Sequence, residues 1–278
     1  MASLAPTGSA HKERLLVYRH SVMVRVLHWI NALVLLVMLM SGLQIFNAHP
    51  ALYLGKTADF DHPVLSMSAW REPDGSLKGV TQVGPYQFNT TGMLGVSSFY
   101  GQMVVRGFPS WATIPGFKSL ALGRLWHFFF AWLFVINGLL FASYAISSGH
   151  IRELLPTGHD IRNIGKDFVD HLRLRFPKGK EALHYNVLQK LAYFTVIFIL
   201  GPLIVLTGLT MSPTVDTAVP QLLWLFGGRQ TARTIHFICA FSFVGFFVVH
   251  IVMLVLSAPI NGLRSMITGR FAIESDDD

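Results

Sequence analysis

The chain has 278 residues, of which 52% are hydrophobic and 13% charged, with a mean hydropathy of +0.48; this balance excludes a water-soluble domain and indicates several membrane spans. Its single cysteine, Cys239, excludes an internal disulfide framework, a CxxCH attachment site and any four-thiolate iron–sulfur or zinc site, and no GxGxxG loop or P-loop is present. The net charge of +7 is spread over loops beside apolar runs, where topology rather than nucleic acid accounts for it, so any soluble chemistry must be performed by another polypeptide.

In chain order, residues 1–21 read as a polar tail. No apolar segment precedes the first span, so no cleavable signal is expected. The first predicted span, 22–46, carries His28 near its start, and the second, 122–147, carries His127. The third, 187–211, contains Gly201-Pro202, a kink that neighbouring helices can accommodate. The fourth, 234–258, contains His236 and His250. Each run is long enough for a hydrocarbon core of about 30 Å. Between the spans lie a long first loop (47–120), a charged second loop (148–186) and a short third loop whose Gln221–Phe226 segment suits the membrane interface; residues 259–278 form the C-terminal tail.

Fourteen of the twenty-two Lys and Arg residues fall in the N-terminal tail and first-span start, the second loop through Lys190, and the C-terminus. That asymmetry places both termini on the cytoplasmic side and the first loop on the exterior side, with lipid around the spans. The first loop is too long for a plain connector and reads as a cap or docking surface.

Histidines inside spans need a reason, because lipid offers an ionisable group no partner. His236 and His250 are fourteen residues apart, about 40° short of four turns, so they leave one face of the helix roughly 21 Å apart along its axis. At 1.5 Å per residue, His28 and His250 lie about 9 and 12 Å from the cytoplasmic ends of their helices, while His127 and His236 lie at similar shallow depth on the opposite side. Two level pairs result, each offering two imidazoles. Haem iron takes two such axial ligands, whereas zinc usually takes three or four protein ligands. Packed histidines hydrogen-bonded within the bundle are the plainer reading, which the level pairing disfavours.

Arg25, Arg124 and Arg233 each precede a candidate ligand by three residues, on the same helix face. A guanidinium binds a carboxylate such as a haem propionate through two parallel hydrogen bonds; a snorkelling interfacial anchor is the other reading of any one of them. His184, with Asn186 and Gln189, opens the third span and reads either as an interface anchor or as a polar pocket at the cytoplasmic level. No Asp or Glu occurs within the four predicted spans, so a carboxylate proton relay through the membrane is not expected.

The segment RHSVMVRVLHWINA (19–32), GRLWHFFFAW in the second span, YNVLQK at the start of the third, and the final histidine pair resemble the bacterial di-haem cytochrome b family of the cytochrome b561 type. That family includes the formate dehydrogenase gamma subunit and the nickel–iron hydrogenase and thiosulfate reductase cytochromes b. The resemblance implies an all-α integral membrane four-helix bundle holding two haems b. In it His28 and His250 ligate the cytoplasmic-side iron, and His127 and His236 the periplasmic-side iron. It further implies a quinone, menaquinone or ubiquinone, beside the inner haem at Asn186, with Gln189 and His184 nearby. The implied partner is a periplasmic oxidoreductase, a molybdopterin enzyme in the thiosulfate reductase branch, linked through this subunit to a respiratory chain. The long first loop and the absence of a fifth span depart from the pattern. A stand-alone membrane oxidoreductase acting on superoxide or ferric iron is the alternative function.

Overall fold

The computed structural model describes residues 14–173, 175 and 185–274. These fall into two compact units. One comprises the described parts of Met1–Val26, Tyr144–Phe194 and Phe247–Asp278; the other comprises Leu27–Ser143 and Thr195–Phe246.

Four stretches of helix are long and apolar enough to cross a membrane. They are α1 (Val22–Phe46), α2 (Leu120–Ser147), the composite of α5 (Val187–Phe194) with α6 (Gly201–Thr210), and α9 (Arg229–Ser257). Their solvation pattern is inverted relative to a soluble protein. Large apolar side chains such as Leu125, Trp132, Leu139, Phe247 and Val255 point outward, whereas Ser41, Gln44, Asn137, Thr207, Thr210 and Thr234 are buried. Lipid is as apolar as leucine, so such helices associate through small and polar residues that pack or hydrogen-bond.

Between α5 and α6 the chain makes a π-helical turn at Thr195–Leu200. The cause is Pro202, which lacks the N–H that an α-helix would offer four residues back, so the register slips by one and then resumes. Helix α9 starts earlier than the apolar run because its first polar turn is anchored: Arg229 pairs with Asp216 at 2.8 Å, and the Thr231 hydroxyl accepts from the Gly55 N–H at 2.7 Å.

In the first unit, β1 (Arg14–Tyr18) pairs antiparallel with β8 (Arg270–Glu274). The two termini, expected as separate polar tails, thus run side by side. A short helix, α3 (Ile151–Leu154), and α4 (Gly158–Leu172) follow α2, and α10 (Pro259–Thr268) follows α9. The Asn261 amide holds α10 to β8, donating to the Ala272 carbonyl at 2.7 Å and accepting from its N–H at 2.8 Å.

The all-α expectation holds for the spans and fails for the first loop. Here β2 (Ala51–Leu52), β3 (Leu65–Arg71), β4 (Leu77–Val83) and β5 (Tyr86–Asn89) form an antiparallel sheet in that order, and β6 (Gly95–Phe99) pairs with β7 (Gln102–Arg106). The turn chemistry explains it. Between β3 and β4, Asp74 Oδ1 accepts from the Ser76 N–H at 2.9 Å and hydroxyl at 2.7 Å, the local bond that closes a tight turn.

This sheet domain is fastened to the helices of its own unit. Phe46 of α1, Leu52, Met67 of β3 and Phe108 form a buried cluster, with Phe237 of α9 packed against it. The buried Asn47 side chain accepts from the Phe108 N–H at 2.6 Å and donates to its carbonyl at 3.2 Å. Arg106, 3% exposed, donates to the carbonyls of Phe108 and Gly116 and to the Thr113 hydroxyl. The third loop forms two short helices, α7 (Pro213–Ala218) and α8 (Pro220–Leu225), the latter leaving Trp224 and Leu225 exposed.

Asn47→Ala leaves the buried Phe108 N–H unpaired and is expected to weaken docking of the sheet domain by about 1–3 kcal/mol. Limited proteolysis of the detergent-solubilised protein measures it: cleavage within residues 47–120 should accelerate, and an unchanged rate would contradict the assigned anchoring.

Candidate functional site

His127 and His236 are each the eighth residue of their helix, α2 and α9. Their ring centres are 6.2 Å apart, with planes inclined at 65°. His127 Nδ1 lies 3.1 Å from the Met38 carbonyl and 3.1 Å from Ser41 Oγ on α1. His236 Nδ1 lies 3.0 Å from the Ile204 carbonyl and 3.2 Å from Thr207 Oγ1 on α6. A carbonyl oxygen only accepts, so each Nδ1 carries the proton and each Nε2 keeps its lone pair for a metal.

The spacing suits one ion held from both sides. Two imidazoles bound to a metal at about 2 Å set their ring centres roughly 6 Å apart. Two neutral nitrogen donors with the remaining coordination left to a flat macrocycle is the donor set of a bis-imidazole haem, and the residues fit that group. Glycine makes the close approach possible. A Cβ at Gly42 would stand 3.3 Å from His127 Cε1, and one at Gly208 3.2 Å from His236 Cε1, so a side chain at either position would push on the ring.

His28, exposed on α1, presents its ring edge-on to Trp29 at 5.5 Å. His250, half-buried on α9, belongs to the other unit. The pairing of His28 with His250 rests on their positions in the sequence. The described contacts bring together one of the two expected pairs.

The three arginines have distinct surroundings. Arg25 donates through Nη1 to the Ile267 carbonyl, and its buried Nε has no hydrogen-bond partner among the described residues; a carboxylate would satisfy such a donor. Arg233 stands over the Phe46 ring at 5.5 Å and donates to the His49 carbonyl at 2.5 Å. Arg124 is exposed, with its guanidinium 5.3 Å from the Phe128 ring centre. Burial, with Arg233 beside it, holds the His49 imidazole below its ordinary pKa.

His184 lies outside the described residues. Asn186 and Gln189 form a capping box at the start of α5: Asn186 Oδ1 accepts from the Gln189 N–H at 2.9 Å, and Gln189 Oε1 accepts from the Asn186 N–H at 3.3 Å. Lys190 donates to Asp160 of α4 at 2.8 Å. That bond, reinforced by the Thr157 N–H, lowers the Asp160 pKa to about 2. Burial, with Tyr193 beside it, pushes the Tyr185 hydroxyl above its ordinary value, so the phenol stays a neutral donor.

Residues 19–269 match the family described as prokaryotic cytochrome b561. The chain belongs to that family. The matched segment contains all four membrane-capable helices and the sheet domain, and membership implies haem b. The chain is also similar to a putative protein-methionine-sulfoxide reductase subunit, YedZ1, of Azospira oryzae, with 35% identity over 150 residues, which is 53% of this chain and 71% of the relative. No solved structure matches.

Within the cytochrome b561 framework, sequence reasoning missed Ser41, Gly42, Thr207 and Gly208. The signal was present as a repeat: Met40-Ser41-Gly42-Leu43 and Leu206-Thr207-Gly208-Leu209 precede Arg124-Leu-Trp-His127-Phe and Arg233-Thr-Ile-His236-Phe respectively. It also missed Asn137, buried in α2 and donating to the Leu27 carbonyl at 3.2 Å.

The Asp160–Lys190 pair ties α4 to α5, and its pH dependence has a definite sign. A carboxyl depressed in the fold stabilises above its unfolded pKa, and that contribution is lost as pH falls through the folded value. The thermal-stability advantage of wild type over Asp160→Asn is therefore expected to hold steady from pH 7 to about pH 5 and to shrink as pH falls towards 2. An advantage that grows on acidification would contradict it.

Proposed function

We propose that this chain is a di-haem cytochrome b subunit that carries electrons across a bacterial inner membrane, linking the quinone pool to a soluble oxidoreductase on the periplasmic side. The reading is supported above all by the His127–His236 pair: two rings on different helices, centres 6.2 Å apart, each with Nδ1 committed to a helix carbonyl. In this reading His127 and His236 hold the periplasmic-side haem, and His28 and His250 the cytoplasmic-side haem. Membership of a family of haem-b membrane proteins and similarity to a reductase subunit support the same role.

Bound haem iron supplies one-electron exchange between its ferric and ferrous states. The chain's own residues prepare the site for it. The two neutral imidazoles of His127 and His236 would hold the iron and leave it closed to other ligands. An apolar surround at the rings, together with the nearby positive charge, would tune the potential of the bound group. Arg25, Arg124 and Arg233, one turn from three of the four histidines, are the donors proposed for the propionates.

On the cytoplasmic side the quinone contact is assigned to the start of α5, at Asn186 and Gln189, with His184 two residues before Asn186 in the sequence. The amides keep that helix start open and polar through their mutual capping, and an amide NH2 is the donor a quinone carbonyl accepts. The periplasmic partner would meet the sheet domain, whose exposed Phe60, Trp70, Tyr86, Tyr100 and Trp111 present aromatic side chains of the kind enriched at protein interfaces.

The test is the haem content of His127→Ala and His236→Ala, measured by pyridine haemochrome on purified protein. Each variant is expected to lose one haem and retain the other. Wild-type haem content in either one overturns the pairing.

A further inference from the structure

The repeated Ser/Thr-Gly-Leu segments place the same hydroxyl and the same glycine against each imidazole of the His127–His236 pair. Ser41 and Thr207 are both fully buried, at 0% exposure. Each side-chain oxygen lies 3.1–3.2 Å from a histidine Nδ1. The arrangement crosses between helices in the same way twice, α1 serving the ring on α2 and α6 serving the ring on α9.

Counting protons fixes what these hydroxyls do. The Ser41 hydroxyl has one proton and donates it to the Met38 carbonyl at 3.2 Å. The Thr207 hydroxyl donates to the Leu203 carbonyl at 2.7 Å, with that of Ile204 at 3.2 Å. Towards the imidazole, each oxygen therefore presents a lone pair. The opposite assignment, with the hydroxyl donating to a bare Nδ1, would set that nitrogen's lone pair against a carbonyl oxygen at 3.0–3.1 Å. Each Nδ1–H is thus shared between two acceptors, a helix carbonyl and a hydroxyl.

We propose that Ser41 and Thr207 are a matched pair of positioning residues that lock His127 and His236 in the Nδ1–H tautomer and, as second acceptors on that N–H, strengthen both rings as electron donors to the metal. The inference rests on the proposed function, because it concerns the haem those two histidines hold. An N–H that donates to more acceptor density leaves more charge on the opposite nitrogen, raising its basicity as a ligand. A more basic axial ligand favours the ferric state, so removal of either hydroxyl raises the midpoint potential of this haem.

The experiment is a spectroscopic redox titration of the full-length protein in detergent, comparing wild type with Ser41→Ala, Thr207→Ala, and the exchanges Ser41→Thr and Thr207→Ser, with electron paramagnetic resonance of the ferric state as a second readout. Both alanine variants are expected to shift one haem component to higher potential, to leave the other unmoved, and to alter the resonance of the shifted component. The exchanges keep a hydroxyl and are expected to titrate as wild type. Loss of one haem in the alanine variants, with retention in the exchanges, supports the same role. Alanine variants that titrate as wild type overturn the inference, as do exchanges that shift as far as alanine. A wild-type preparation without haem overturns the proposed function itself, a distinct result.

Discussion

Two imidazole rings brought to a 6.2 Å separation inside apolar helices impose the constraint from which the rest of the arrangement follows. Their Nδ1 atoms need acceptors that lipid cannot provide, and a neighbouring helix supplies each with a backbone carbonyl and a side-chain hydroxyl. That requirement draws α1 against α2 and α6 against α9, and it demands a glycine beside each hydroxyl so that the ring can reach the carbonyl. The buried polar side chains of the spans are explained by the same need, since a hydrogen bond unmade in an apolar medium costs several kcal/mol.

The sheet domain extends this logic beyond the spans. Phe46 and Phe237 join its core, and Phe237 is the residue after His236. Asn47 and Arg106 spend their hydrogen bonds on the loop backbone around Phe108. A domain held by buried polar contacts at the end of α1 is a platform of defined geometry, unlike a flexible connector. Its outward aromatic side chains are then presented at a fixed place relative to the His127–His236 pair in the same unit.

The four spans were legible because their apolar runs are long and because histidines and prolines are conspicuous within them. Counting residues at a fixed rise set His127 level with His236, and the structure brings those two rings to 6.2 Å. The sheet was not legible, since its strands are short, mix polar and apolar residues, and depend on side-chain turn bonds such as Asp74 to Ser76. Pairing of the two terminal strands was equally hidden, because long-range partners leave no local period. The supporting hydroxyls escaped notice for a different reason: a serine or threonine in an apolar helix usually satisfies itself on its own backbone, and only the spatial partner shows its second role. Asn186 and Gln189 carry both a local meaning, as the cap of α5, and the proposed one, as a polar contact; their spacing alone does not separate the two.

The central claim is that the four span histidines together hold two haems, and the ratio of haem to polypeptide in the purified wild-type protein tests it most directly. Pyridine haemochrome absorbance against quantitative amino-acid analysis should give two haems b per chain. A colourless protein, or one haem per chain, would contradict the account.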